Sequence, residues 1–341
     1  MPKTVLVTGA SGFIAQQLIV DLLAQGHTVR GTVRSKSKDE TLRATLSEHT
    51  GRASEIELVE ADLESDRGWS QAVAGVDVIQ HLASPFPMAA PKNPDDLIRP
   101  ARDGALRVLR AAKAAGVDRV IMTSSCAAIA YGWGDRLPEV LTEKDWSDPT
   151  NTSDCPPYMQ SKTLAERAAW DYVNGEGRGI ALTTINPVGV FGPILSAQVK
   201  TSVGIVAQIM AGKYPALPNA GIQVVDVRDV SAAHLAAMDD PSTAGERYIL
   251  ADKFYWLRDF ADVLRDGFPS HASKIPTRAL PDFLVRFLAI FSGDMKTIAT
   301  ELGRRRFSSS DKVRKLLGRE LIPGDEAIRA SAETLIRYGA V

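Results

Sequence analysis

The amino-terminal stretch leaves this chain few folds to adopt. Residues 3–8, Lys-Thr-Val-Leu-Val-Thr, predict a short buried strand. Gly9-Ala-Ser-Gly12 predicts a turn, and Ile14, Leu18 and Leu22, with Leu23 beside them, recur as on the buried stripe of a helix. In that order the three elements build an anion site, because the turn's N–H groups and the helix amino end face one point. Gly9 allows the sharp turn, and Gly12 lets backbone approach a phosphate with no Cβ in between. Ala15 is small enough for close helix–strand packing. A glycine pattern alone is weak, and ordinary turns use the same residues. The strand before it and the helix after it supply the context that a dinucleotide site requires.

Further strands are expected at 29–33, 56–61, 76–82, 119–123 and 180–186, with helical stretches between them. One such helix carries Leu106, Leu109 and Ala112 and stops near Gly116. This alternation predicts right-handed crossovers, a doubly wound parallel sheet of α/β class, and ligands at the carboxyl ends of its strands. After Pro187 the alternation breaks. Helices are expected at 205–211, 228–238, 257–264, 284–291, 310–317 and 326–338, and strands at 224–227 and 247–250. Ser308 to Ser310 are expected to cap a helix. Arg304-Arg305-Arg306 reads as a solvated helix face. The expected division is a dinucleotide-binding domain of residues 1–186 and 224–250, with a smaller, mostly helical substrate lobe of 187–223 and 251–341.

Composition excludes several classes. The 341 residues carry a net charge of −1, so no basic field points to nucleic acid. The longest apolar run near the end, 283–291, contains Arg286 and is too short to span a bilayer. Cys126 and Cys155 are the only cysteines, so no metal spacing or disulfide framework follows. With a core strand starting at Lys3, no signal peptide is expected, and a cytoplasmic location is the default.

Strand 29–33 ends at Arg34, followed by Ser-Lys-Ser-Lys38. No Asp or Glu stands between Gly26 and Lys38 to bind a ribose 2′-hydroxyl, whereas the planar Arg34 suits a 2′-phosphate. NADP is therefore expected over NAD. Tyr158 and Lys162 are four apart in a helical stretch and share a face. A free tyrosine has a pKa of about 10, and a nearby cation is expected to lower it, making Tyr158 a proton donor or acceptor near neutrality. Lys162 is also placed to hold ribose hydroxyls. Ser125, ending strand 119–123, is placed to bond the substrate oxygen. A Tyr and a Lys at this spacing also occur as surface pairs; the preceding glycine turn and strand-end serine argue against that here. His81 and His234 read as structural.

Taken together, Thr8-Gly-Ala-Ser-Gly12-Phe-Ile, Asp62-Leu63, Ala83-Ser84-Pro85, Thr123-Ser-Ser125, Tyr158…Lys162 and Asn186-Pro187…Gly192-Pro193 resemble the extended short-chain dehydrogenase/reductase superfamily. Val33-Arg34, His81-Leu-Ala-Ser-Pro85 and Glu143-Lys-Asp-Trp146-Ser-Asp148 look more narrowly like its dihydroflavonol reductase and cinnamoyl reductase branch, which also holds microbial aldehyde and ketone reductases. The resemblance covers about the first 240 residues and implies a Rossmann fold. It implies Ser125, Tyr158 and Lys162 as a catalytic triad. It places Gly9, Ser11, Gly12, Phe13 and Ile14 at the pyrophosphate, Arg34 and Lys38 at the 2′-phosphate, and Asp62 and Leu63 beside the adenine. Ala83, Ser84 and Pro85 fall near the nicotinamide ribose, and Pro187 and Val188 at the nicotinamide end. Two departures stand out. Ala101 and Ala130 occupy positions where relatives often carry Asn, which argues against a fourth polar catalytic member and against a flavonoid substrate.

The expected function is NADPH-dependent reduction of an aldehyde or ketone. Phe86, Pro87, Met88, Trp133, Met159 and Leu195 would supply an apolar cleft for an aryl or alkyl carbonyl, although Phe86 and Trp133 equally suit loop packing. The alternatives are a sugar epimerase or dehydratase, a hydroxysteroid dehydrogenase, and a non-catalytic NADP-sensing regulator. A small-molecule substrate, no nucleic acid, no membrane, no metal, and a monomer or homodimer complete the expectation. The long segment 131–156 is expected to close over the substrate.

Overall fold

The computed structural model describes residues 1–85, 93–197 and 202–341. Among them a seven-stranded sheet forms the centre, made of β1 (Thr4–Thr8), β2 (Thr28–Val33), β3 (Glu57–Glu60), β4 (Val78–His81), β5 (Arg119–Thr123), β6 (Ala181–Pro187) and, after three short excursions, β10 (Arg247–Leu250). Those excursions are β7 (Gly189–Phe191), β8 (Leu217–Pro218) and β9 (Gly221–Asp226); β11 (Phe254–Trp256) and β12 (Ala279–Leu280) come later. The order across the central sheet is β10-β6-β5-β4-β1-β2-β3, and all its pairs are parallel. Strands such as Arg-Val-Ile-Met-Thr in β5 are apolar through their middle, as burial on both faces demands. The strand order reverses direction at β1, the crevice where an open α/β sheet binds its ligand.

Helices cover both faces. On one lie α1 (Phe13–Ala24), with α2 (Asp39–Ser47) near its edge, α7 (Val227–Asp239) and α11 (Asp311–Leu317), sharing a core with Val5, Val7, Val29, Ile121 and Ile185. On the other lie α3 (Trp69–Val73), α4 (Asp95–Ala115) and α5 (Pro157–Asn174), packed on Leu6, Ile79, Val120 and Leu182. Pro157 starts α5, where its missing N–H has no helical partner to lose. Gly116 ends α4 in the left-handed region at φ +74°. A separate core joins α6 (Val203–Met210), α8 (Leu257–Gly267) and α12 (Gly324–Arg337) to β7, β9 and β11 through Phe191, Val206, Tyr255, Phe260 and Ile328. The remaining helices are α9 (Asp282–Leu288) and α10 (Gly293–Thr300). No described helix is long and apolar enough to cross a membrane.

One expectation about the tail is corrected and another is narrowed to a single residue. Arg304 to Arg306 lie outside any helix, and Arg306 is buried. It pairs with Asp154 (2.6 Å) and Glu301 (3.3 Å), donates to the Ala130 carbonyl (2.6 Å) and stacks 4.3 Å from the Tyr131 ring centroid. The chain beyond it runs beside Leu141, with Leu141 N–H donating to Phe307 O (2.7 Å) and Ser309 N–H to Leu141 O (2.8 Å). Ser310 stands before α11, but its hydroxyl does not cap it: the oxygen accepts from Ala251 N–H (2.7 Å) and donates to Ala251 O (2.8 Å). The local bond comes instead from Ser309, whose Oγ accepts Asp311 N–H (3.2 Å) at the first residue of α11.

Candidate active site

The glycine turn and the segment after β4 are built against each other. Gly9 sits at φ +66°, and a Cβ there would lie 3.1 Å from both Cα and Cβ of Ala83. Thr8 ties the same two pieces: its hydroxyl accepts Leu82 N–H (3.0 Å) and Ala83 N–H (2.9 Å) and lies 2.9 Å from His81 Nδ1. With both lone pairs engaged, that hydroxyl has only its proton left for His81, so Nδ1 is the acceptor and the ring is neutral. Burial holds the His81 pKa down at about 3. Gly12 precedes α1 with no side-chain cap, and the first turn, with Phe13 and Ile14, carries no acid. Ser11 is exposed beside it.

The other residues expected at the cofactor lie along the same edge of the sheet. Arg34 is exposed just past β2, before a turn that Ser35 caps. The Lys38 side chain lies outside the described residues. Asp62 follows β3, and its Oδ1 accepts Glu64 N–H (3.0 Å). Leu63 is packed so closely under Gly104 of α4 that a Cβ on Gly104 would come within 2.9 Å of the Leu63 Cβ.

Ser125, Tyr158 and Lys162 meet where β5 and α5 come together. Ser125 and Tyr158 share a side-chain hydrogen bond. Ser125 Oγ also accepts Ala127 N–H (3.1 Å) and lies 3.5 Å from the Pro187 carbonyl oxygen at the end of β6. Lys162 is buried, donates to Ser84 Oγ (2.9 Å) and sits 5.9 Å from the Tyr158 ring centroid. The electrostatics correct the expectation that Lys162 acidifies Tyr158. Tyr158 keeps part of its surface open, yet lies deep enough that burial pushes its pKa up to about 12, opposed by the Ser125 hydrogen bond. Burial likewise pulls Lys162 down to about 8, opposed by the charge of Glu166. The ammonium donates to Ser84, and desolvation outweighs the pull of a cation at ring distance.

Of the apolar candidates, Phe86 and Met88, with Pro87, lie outside the described residues. Trp133 is half-buried; its indole N–H donates to Ile129 O (2.9 Å), and with Val188 it packs on Cys126, Ile129 and Ala130, just past Ser125. Pro85 and Met159 are half-buried, Met159 on α5 beside Tyr158. The segment 131–156 is pinned rather than poised as a lid. Ser147 N–H donates to Ala128 O (2.9 Å) and Arg167 donates to Ser147 O (3.0 Å), while bonds from Asp148 N–H to Tyr131 O (3.0 Å) and from Gly132 N–H to Asp154 O (3.2 Å) brace the segment internally. The guanidinium groups of Arg247 and Arg167 lie 3.8 Å and 5.3 Å from the Trp146 ring centroid.

Sequence reasoning missed Glu166, which is fully buried and paired with Arg247 at 2.7 Å. The signal was present: Tyr158, Lys162 and Glu166 repeat every four residues. No sequence spacing announces Arg247, which comes from β10, the last strand to join the sheet. Among the described residues no cluster of His, Cys, Asp or Glu could hold a metal ion.

Known proteins resemble this chain in sequence and fold. Cinnamoyl-CoA reductase 1 of Petunia hybrida is 37% identical over 280 residues, covering 81% of this chain and 80% of its own. Tetraketide alpha-pyrone reductase 2 of Arabidopsis thaliana is 33% identical over 270 residues, covering 78% and 83%. The crystal structure of yeast methylglyoxal/isovaleraldehyde reductase complexed with NADPH superposes with a TM-score of 0.80 at 28% identity, covering 99% of this chain and 100% of that one. The model of the NAD dependent epimerase/dehydratase family matches residues 5–251, and with a central parallel sheet whose glycine turn, Ser125 and Tyr158–Lys162 pair lie at its carboxyl edge, the chain belongs to that family, the extended short-chain dehydrogenases/reductases.

Proposed function

We propose that this protein reduces an apolar aryl or alkyl carbonyl compound with NADPH, reversibly, with Tyr158 as the proton donor. The observation that carries the reading is the Ser125–Tyr158 hydrogen bond beside the buried ammonium of Lys162. The chain is an NADP-dependent oxidoreductase. Its residues fit the cofactor. The left-handed Gly9, against which Ala83 packs, and the uncapped, acid-free start of α1 suit a pyrophosphate held by Gly9, Ser11, Gly12, Phe13 and Ile14. Arg34, exposed past β2, suits a 2′-phosphate. Asp62 and Leu63 would flank the adenine, Ser84 and Lys162 the nicotinamide ribose, and Pro187 and Val188 the nicotinamide.

NADPH, when bound, supplies the hydride. Tyr158 donates its proton to the substrate oxygen as negative charge develops there. A phenol held up near 12 remains protonated at neutral pH, which suits it to donate. Ser125 holds the same oxygen, fixing it within reach of Tyr158. Lys162 keeps a positive charge near the Tyr158 ring, an attraction for the phenolate that remains smaller than the opposing cost of burial. The relatives' names support a carbonyl substrate and run from an aryl thioester to small aldehydes. Trp133 and Val188, packed beside Ser125, support an apolar one.

The test is loss of reduced-nicotinamide absorbance with NADPH and NADH over aryl aldehydes, aryl ketones, a dicarbonyl and a UDP-sugar. The expected result is turnover with NADPH and a carbonyl. Tyr158→Phe should lower kcat by about 100-fold or more while leaving NADPH binding intact. A variant that kept most of its turnover would end the Tyr158 reading, and turnover of the UDP-sugar alone would move the chain to the epimerases.

A further inference from the structure

Glu166 is four residues past Lys162 and eight past Tyr158, so the three side chains follow one face of α5 in successive turns. Its carboxylate is fully buried, and donors from several elements converge on it. Oε2 accepts from the Ser124 hydroxyl and from Asn186 Nδ2 (2.7 Å). Oε1 accepts from Arg247 Nε (2.7 Å) and Trp170 Nε1 (3.2 Å), with the Thr184 hydroxyl also at 3.2 Å. A carboxylate offers about four lone-pair directions, so donors surround this one on both oxygens. Two of the donors adjoin the site. Ser124 immediately precedes Ser125. Asn186 precedes Pro187, and its Nδ2 also reaches the Ser125 carbonyl at 3.3 Å. Arg247 passes the connection outward, donating to the carbonyls of Glu143 (2.8 Å) and Asp145 (2.7 Å) and stacking on Trp146.

Stability does not account for such a group. Well-packed apolar side chains of similar volume often serve a core as well as a buried ion pair does. What they could not do is gather these donors at one carboxylate and carry a negative charge one helical turn from Lys162. The geometry points to Glu166 as a positioning residue: its carboxylate, clamped by Arg247, fixes the ends of β5 and β6 against α5 so that Ser125 meets Tyr158, and it supplies the counter-charge for Lys162. This rests on the assignment of Ser125, Tyr158 and Lys162 as the reacting groups.

The groups around Lys162 make the charge effect readable. His81 faces it from β4 and is neutral; Ser84 faces it from the segment after β4; Tyr158 and Glu166 flank it on α5. Around Glu166 stand Arg247 from β10 and Cys126 from the turn after β5, whose thiol burial pushes up to about 12. Glu166 is thus the anion that opposes the burial of Lys162 among the described residues.

The experiment measures kcat and kcat/KM from pH 5 to 10 for the wild type, E166Q, S124A and Y158F, with thermal melts to establish folding. E166Q should move the alkaline limb of kcat/KM down by about 1 pH unit, since loss of the anion disfavours the ammonium. S124A keeps that charge, so its limb should stay in place while kcat falls roughly tenfold with KM little changed. An E166Q limb coincident with the wild type, or S124A turnover within twofold of it, overturns the inference. Should E166Q not fold, S124A decides alone. Y158F separates the two failures: if it is inactive, a null result for E166Q and S124A overturns the Glu166 inference only, whereas an active Y158F overturns the underlying assignment.

Discussion

Tyr158 and Lys162 are pushed by burial in the direction that favours their neutral forms, Tyr158 up to about 12 and Lys162 down to about 8. For a reductase this is a usable pair, because the phenol keeps its proton until the substrate oxygen takes it. Lys162 is then the group that titrates within reach of ordinary buffers. Its charged form is lost as pH rises through about 8, so kcat/KM for carbonyl reduction should decline above that pH, checked by a pH–rate profile in the reducing direction. Arg34 carries a separate prediction. Arg34→Ala should lower kcat/KM with NADPH by roughly 10- to 100-fold, the range set by charge-assisted hydrogen bonds, and leave the value with NADH nearly unchanged. Equal losses with both cofactors would assign Arg34 a structural role instead. Tyr158, Lys162 and Ser125 were legible because helical spacing and a strand end are local properties. The direction of the Tyr158 shift was not, since it depends on how much protein surrounds the ring.

The segment 131–156 shows the limits of reading an element by its length. A segment of this length suggests a lid, yet the Ser147–Ala128 bond and the guanidinium groups of Arg167 and Arg247 on Trp146 hold this one to the turn after β5, to α5 and to β10. The two guanidinium groups on Trp146 each contribute about 0.5–2 kcal/mol. With the indole's packing, Trp146→Ala should destabilise the protein by about 2–3 kcal/mol, measured by denaturant titration. Limited proteolysis offers an independent check. Cleavage within 131–156 should be slow and unaffected by NADPH and substrate; cutting that is fast without them and suppressed with them would restore the lid. The partners of this segment, Arg306 and Arg247, come from far along the chain, so its own residues could not announce that it is held.

Two buried histidines connect the sheet's interior to the behaviour of the entire protein in acid. His234, on α7, donates from Nδ1 to Gln80 Oε1 (2.7 Å) and accepts from the Thr123 hydroxyl at Nε2 (2.8 Å), while His81 accepts from Thr8. Protonation would place a donor against each of those hydroxyls, and burial holds both pKa values at about 3. In the unfolded chain a histidine titrates at about 6.5. The stability of these neutral forms is therefore present above pH 6.5 and is lost as pH falls towards 3. By pH 5 each histidine should cost about 2 kcal/mol, so Tm should drop by several degrees between pH 7.5 and pH 5. His81→Gln or His234→Gln should flatten that dependence; an unchanged slope in both would show that other groups control it.

The amino-acid sequence by itself determined the parallel sheet, the glycine turn at its switch point and the Tyr158–Lys162 face of α5. Each follows from apolar periodicity or backbone freedom within a few consecutive residues. It also carried the expectation of NADP, through Arg34 and the missing acid. What depended on the folded arrangement was the electrostatic state of the site and the attachment of its walls. Burial, rather than the neighbouring lysine, controls the Tyr158 proton. Glu166 acquires its role from Ser124, Asn186 and Arg247, which meet only when β5, β6 and β10 align. Arg306, expected in solvent, is buried because Asp154 and Tyr131 await it more than 150 residues away. Desolvation and long-range pairing depend on the three-dimensional surroundings of a group, and no window along the chain contains them.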